Sequence, residues 1–281
     1  MNTTTTLLGL YLAAIFAASL LGGWLPRRFQ LTHTRTQLIM SLVAGLMLGV
    51  AFFHLIPHSA LTPPIDVDFT MLWSVMGLVF MLVLLRLFHF HQHDFALAGD
   101  TCDHGDADAH SHTHAHDHGH ASAPSGPFTW LGLLLGLSVH TVVDGVALGA
   151  VMRAEPTGGG VLGLGVFLAI LLHKPLDSLS IETVMIATGQ SSRRRRWINI
   201  GFSLLCPLAA LLFWAAVDPT LADSLLLSGA LAFSAGAFIC IALGDLLPEI
   251  QFHSHDRGKL TGLFLLGLGL AWAIGLVEGV H

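Results

Sequence analysis

Charge is scarce in this 281-residue chain. Only 11% of its residues are Asp, Glu, Lys or Arg, where a soluble domain carries about 25%. Too few remain to cover a globular surface, so lipid is the solvent expected for most of the chain. Basic residues are scarcer still. The formal net charge is -6, which argues against a nucleic-acid partner. Cysteine is nearly absent: Cys102, Cys206 and Cys240 are far apart and form no CxxC, so neither a disulfide frame nor a thiolate zinc site is implied. Met1 to Thr6 contains no basic residue. A secretory signal starts with positive charge, so the first apolar run is expected to be a retained span.

What is abundant is apolar sequence, 53% of residues, with a mean hydropathy of +0.71. A spanning helix needs about 20 mostly apolar residues. Eight runs qualify, approximately 7–26, 36–57, 68–91, 127–152, 160–189, 197–217, 224–249 and 259–279. The expected fold is an all-α polytopic membrane protein of eight transmembrane helices in a 3+2+3 arrangement. Residues 1–91 hold helices one to three, 127–190 hold helices four and five, and 191–281 hold helices six to eight. Between them, 92–126 is rich in Asp, His, Ala and Ser and carries Pro124 near its end. It cannot bury a core and is expected to be a loop.

Ten of the twelve basic residues fall in or beside alternate connections: Arg27, Arg28 and Arg35; Arg86; Arg193 to Arg196; Arg257 and Lys259. The exceptions are Arg153 and Lys174. By the positive-inside rule those connections face the cytoplasm. Both termini are then outside, and the cell (inner) membrane is the expected location.

The fourth run contains His140-Thr141-Val142-Val143-Asp144-Gly145, and the fifth contains His173-Lys174-Pro175-Leu176-Asp177-Ser178. In each, His and Asp are four apart, so they share one helix face. All four lie near the middle of their spans. An unpartnered Asp at that depth costs about 2.5–3.5 kcal/mol on insertion scales. A divalent cation is the simplest partner: two imidazoles and two carboxylates satisfy tetrahedral zinc. The same N/O set tolerates Cd2+, Fe2+, Mn2+ and Co2+. His140, Asp144, His173 and Asp177 are therefore the candidate central transport site. The alternative is that they pair among themselves as packing glue. Pro175 is expected to interrupt the backbone ladder and free a carbonyl near the site. Gly145 and Gly149 are expected to let a neighbouring helix approach closely. Lys174 is expected to be neutral or paired with Asp177 or Glu182, and its ammonium is a candidate stand-in for a second metal.

Residues 92–126 hold His104, His110, His112, His114, His116, His118 and His120 among Asp103, Asp106, Asp108 and Asp117. Alternating His in such a segment suits weak metal buffering or sensing. His54 and His58 end span two, and Asp245 and Glu249 end span seven. Both segments read polar, two aliphatics, proline, polar: His54-Leu55-Ile56-Pro57-His58 and Asp245-Leu246-Leu247-Pro248-Glu249. Their opposite orientations suit an inverted repeat, which places binding sites between the halves. These four residues are candidate stations on the access and release paths, or interfacial polar residues at helix ends.

With eight spans, a His-rich loop between the third and fourth, the span-four His140 to Gly145 motif, a span-five motif opening at His173 and the Asp245 to Glu249 segment, the chain resembles the ZIP (Zrt/Irt-like) metal transporters. The family's span-four motif usually reads His-Asn-x-x-Asp-Gly and its span five His-Glu-x-Pro-His-Glu. By matching positions, His140, Asp144, His173 and Asp177 fall on the family's primary metal site. Asp177 stands where a histidine is usual. Thr141 replaces the asparagine, Lys174 the first glutamate and Ser178 the second, while Pro175 comes one residue early. The resemblance thus implies a kept primary site with altered ligands, and Thr141, Lys174 and Ser178 as a vestigial second site. It also implies metal movement toward the cytoplasm, elevator-like alternating access and often a homodimer.

Other readings compete. A cation-diffusion-type exporter uses similar motifs but six spans and a soluble C-terminal domain. An intramembrane metalloenzyme needs an open metal position and a general base, and no HExxH is present. A metal sensor would need a signalling domain.

Overall fold

The computed structural model describes residues 3–24, 33–60, 66–88, 129–154, 163–217, 225–246 and 257–278. All its regular structure there is helical. Helix is the expected form, because backbone groups in hydrocarbon must be hydrogen-bonded within their own segment. Among the described residues, eight helices are long and apolar enough to cross a membrane, one for each run read from the sequence. The His-rich stretch and Glu249 lie outside the described residues, as does the side chain of Asp245.

The helices are α1 (Thr3–Trp24), α2 (Thr34–Ala60), α3 (Val67–Phe88), α4 (Thr129–Ala154), α5 (Leu164–Ala187), α6 (Ser192–Ala216), α7 (Leu225–Ile241) and α8 (Arg257–Glu278). Two contain wider, π-helical turns. In α2 this turn is Ala51–Leu55, and α7 runs into another at Ala242–Leu246. Such turns frequently mark functional positions. They fall where the two similar pentapeptides begin, at His54 and Asp245. α5 starts after Gly163, whose φ of 63° suits glycine. Ser191 caps α6 by accepting the Arg194 N–H.

Packing sorts the helices into two groups. α1, α4, α5 and α6 pack together, chiefly α4 with α6 and α1 with α5. α2, α3, α7 and α8 form the other group, chiefly α2 with α8 and α3 with α7. The groups meet mainly where α4 lies along α7 and where α2 lies along α5. α2 and α7 are the most buried helices, and α3, α6 and α8 the least. The least buried ones turn rows of large apolar side chains outward, including Leu72, Val75, Met76 and Val79 on α3. In water such a surface would drive aggregation; against lipid tails it is in its own solvent.

Close approach of α4 and α6 depends on two glycines. A β-carbon at Gly145 would fall 2.5 Å from the Cys206 carbonyl oxygen, and one at Gly149 would fall 2.6 Å from that of Ala210. This is the role expected of them, and small residues commonly serve it between membrane helices.

Candidate metal centre

The centre is built by α4 and α5. A four-residue spacing on each helix sets His above Asp on one face, and the two faces meet. One donor atom from each of His140, Asp144, His173 and Asp177 lies within 4.8 Å of all the others, and all four residues are buried. The individual separations are more telling. His173 Nε2 is 3.2 Å from Asp144 Oδ2, and His140 Nε2 is 3.4 Å from the same oxygen. From Asp177 Oδ2, His140 Nε2 is 3.7 Å away and His173 Nε2 is 4.0 Å away. Tetrahedral zinc with bonds of about 2.0–2.1 Å sets its donors roughly 3.3 Å apart. The Asp144 edges already match that figure, and the Asp177 edges need only a small contraction.

The histidines are oriented for this. His173 Nδ1–H donates to the Ala169 carbonyl at 2.7 Å, which leaves the Nε2 lone pair for the centre. That carbonyl belongs to the residue one turn earlier on the same helix, so the ring is held without help from elsewhere. The His140 and His173 rings lie 5.4 Å apart, centroid to centroid. His140 Nδ1 and Asp144 Oδ1 are buried and have no hydrogen-bond partner. Buried polar atoms without partners mark a place where a ligand or water belongs.

Lys174 enters from α5 and reaches both acids. Its Nζ lies 2.5 Å from Asp144 Oδ2, 3.1 Å from Asp177 Oδ2 and 3.0 Å from Thr141 Oγ1. The expected partner Asp177 is present, joined by Asp144. The other expected partner, Glu182, instead faces Arg195, with its Oε1 3.6 Å from the guanidinium. Of the three residues assigned to a vestigial second site, Thr141 and Lys174 meet, whereas the Ser178 hydroxyl pairs with that of Ser19 on α1 at 2.8 Å. Pro175 sits inside α5, which is α-helical from Leu164 to Ala187.

At the far end of α2, His54 is buried and His58 half-buried. His54 Nε2–H donates to the Ala271 carbonyl at 2.8 Å, and Nδ1 shares a 2.6 Å hydrogen bond with Glu278 Oε2. His58 Nδ1–H donates to the His54 carbonyl at 2.7 Å. His54 and His58 therefore lie apart from the four-donor cluster, and both His54 nitrogens are engaged. Glu278 is a residue the sequence reading missed. Its only signal was an acid in the last turn of a span that is mostly apolar after Lys259.

A family model described as "Zip: ZIP Zinc transporter" matches residues 5–275 of the chain. The chain belongs to this family. Among individual relatives, it is 32% identical over 149 residues to zinc transporter ZIP9 of Micropogonias undulatus, a match covering 52% of this chain and 47% of that protein. It is 34% identical over 137 residues to zinc transporter ZIP9-B of Xenopus laevis, covering 46% and 44% respectively. Zinc transporter foi of Drosophila melanogaster is 31% identical over 157 residues, covering 53% of this chain and 20% of that protein. The chain spans about half or less of the length of these relatives. ZIP membership and eight apolar helices make it an integral membrane protein.

Proposed function

We propose that this ZIP-family chain carries a divalent transition metal, zinc foremost, across the bilayer toward the cytoplasm by alternating access. The observation that carries this reading is the buried four-donor cluster of His140, Asp144, His173 and Asp177. Relatives named as zinc transporters support the choice of metal. The donor set is two imidazoles and two carboxylates, so Cd2+, Fe2+, Mn2+ and Co2+ are secondary substrates.

One metal per centre is the stoichiometry that charge favours. Two aspartates neutralise one divalent ion. The Lys174 amine already lies against both, so a second divalent ion would add two more charges with no further acid in the cluster. Lys174 then has a mechanical use. When metal is present, the metal takes the carboxylates. When metal leaves, the amine returns to them. The empty centre thus avoids burying two bare carboxylates, which the low-dielectric interior penalises heavily.

Alternating access is supported by the way the helices group. Every ligand lies on α4 or α5, inside one packing group, while α2, α3, α7 and α8 supply none. Movement of the first group against the second would carry the centre as a unit. An inverted repeat fits the same pattern. Exchanging α1 with α6, α2 with α7, α3 with α8 and α4 with α5 turns each major packing pair into another: α1·α5 into α6·α4, and α2·α8 into α7·α3. The exchange also matches the two π-helical turns and the two His-x-x-x-Asp pairs. The basic residues favour an orientation with the start of α6, which carries Arg193 to Arg196, on the cytoplasmic side.

The test is radiometal uptake into proteoliposomes. Wild type is expected to accumulate zinc, and Asp144→Ala to lose that accumulation. Normal transport by Asp144→Ala would remove the centre from the route.

A further inference from the structure

The two helix groups are joined by a hydrogen-bonded bridge at the start of α5, about two helical turns before His173. The side chain of Glu278, in the last turn of α8, is only 3% exposed. One carboxylate oxygen, Oε2, bonds His54 Nδ1 on α2 at 2.6 Å. The other, Oε1, accepts the backbone N–H of Gly165 in the first turn of α5 at 3.3 Å. His54 is fixed in turn by Ala271 of α8 through its other ring nitrogen. α2 and α8 belong to one group, and α5 to the group that holds the metal ligands. The carboxylate therefore spans the boundary between them.

A second observation supports the contact. The His54 ring lies directly over Gly165. A β-carbon there would sit 2.9 Å from His54 Cε1, 3.1 Å from Nε2 and 3.2 Å from Nδ1. The ring and the helix start fit together only because residue 165 has no side chain. The helix start is also favourable for an anion, since its first N–H groups have no partner within the helix. Three elements converge on one carboxylate, and His54 lies in the π-helical turn of α2.

We propose that Glu278 is a latch. It ties the start of α5 to α2 and α8, holds the molecule in the conformation described, and must release Gly165 each time the metal-carrying group moves. This rests on the alternating-access reading above. His54 is then a positioning residue for the carboxylate and no ligand on the metal path. The basic-residue pattern puts this latch at the outer end of the bundle.

The latch makes a specific set of demands. Initial zinc uptake and its KM are measured in proteoliposomes, and zinc affinity of the purified chain by calorimetry. Glu278→Ala is expected to lower maximal uptake by about fivefold or more by displacing the balance of conformers, with zinc affinity at the centre unchanged. Gly165→Ala pushes a methyl group against the His54 ring and is expected to do the same from the opposite side. Glu278→Gln is expected to restore uptake to within about twofold of wild type. Its amide oxygen still accepts from Gly165, and its NH2 donates to a His54 Nδ1 lone pair. Uptake by both Glu278→Ala and Gly165→Ala at the wild-type rate would overturn the latch. So would a Gln variant as slow as the Ala variant, or a parallel loss of zinc affinity. A wild-type chain that moves no metal would sink the transport reading itself, and the latch with it, whereas slow Asp144→Ala beside normal Glu278→Ala sinks the latch alone.

Discussion

Lys174 Nζ lies 2.5 Å from Asp144 Oδ2, the oxygen that also faces both histidines of the centre. The amine and an incoming metal therefore compete for one atom. Replacing Lys174 with Met removes the competitor and leaves the empty centre with two unpaired acids. A charge-assisted hydrogen bond is worth about 1.5–3 kcal/mol, so zinc is expected to bind Lys174→Met roughly tenfold more tightly or better. Transport is expected to slow, because the empty group then has bare carboxylates to move. Calorimetry and uptake read the two effects separately. Weaker binding by Lys174→Met would show that the amine supports the site and does not contend for it.

The same competition fixes the stoichiometry. Changing Lys174 to Glu swaps a positive group for a third carboxylate beside Thr141 and Asp144. The charge that kept a second divalent ion out is gone, and a new ligand is in place. Calorimetric titration is expected to move from one zinc per chain at the centre to two. The His-rich stretch would confound the count, so both chains are compared with residues 103–120 deleted. An unchanged value of one would mean that space, not charge, limits the centre.

The two aspartates are not equivalent. Asp144 has no exposed surface, and its Oδ2 is approached by His140, His173 and Lys174. Asp177 is slightly exposed, and its histidine distances are longer. Breaking a buried ion pair by removing one partner costs about 3–5 kcal/mol. Asp144→Asn is therefore expected to abolish uptake and lower thermal stability measurably, while Asp177→Asn keeps more of both. A thermal-shift series in detergent, run beside uptake, checks the order. Equal losses would argue that the acids act as one unit.

Much of this was legible in the sequence because the signals are local. Apolar runs reveal spans, since length and hydropathy are all that a bilayer asks of a helix. A four-residue spacing places His140 with Asp144 and His173 with Asp177 on helix faces. The role of Lys174 was half legible: Asp177 is its neighbour on the same helix, but Asp144 is supplied by α4. What stayed hidden depends on contacts between distant segments. Glu278 meets His54 across 224 residues and Gly165 across 113, and no local pattern encodes either meeting. The hydrogen bond between the Ser178 and Ser19 hydroxyls was hidden for the same reason, because Ser19 is on α1. The Arg195–Glu182 contact, between neighbouring helices α5 and α6, was not foreseen, since Arg195 was read only for membrane orientation and Glu182 as a partner for Lys174.

The stretch from 103 to 120 carries seven histidines, yet every ligand of the proposed centre is on α4 or α5. If that stretch buffers or senses metal, its removal is expected to leave transport through the centre measurable and to alter only how uptake responds to metal load. The comparison is the deletion of 103–120 against wild type across a range of zinc concentrations, at matched protein levels. Complete loss of uptake in a well-expressed deletion would place these histidines on the route.

Gly145 and Gly201 are on α4 and α6, the pair of helices that lie most closely together in the metal-carrying group. A β-carbon at Gly145 would meet the Cys206 carbonyl at 2.5 Å and the Ala209 β-carbon at 2.7 Å, whereas one at Gly201 would meet nothing within 4 Å. Added volume in a tight contact costs about 1–3 kcal/mol. Gly→Ala in an open helical position gains roughly 0.5–1 kcal/mol, because glycine loses more backbone freedom on folding. Gly145→Ala is therefore expected to lower the thermal midpoint and Gly201→Ala to leave it level or raise it. Because Gly145 follows Asp144 directly, Gly145→Ala also shifts the carboxylate against the histidines, so zinc affinity should fall with stability in that variant and stay constant in the other. A Gly145→Ala chain as stable as wild type would mean that α4 and α6 are not held together by this contact.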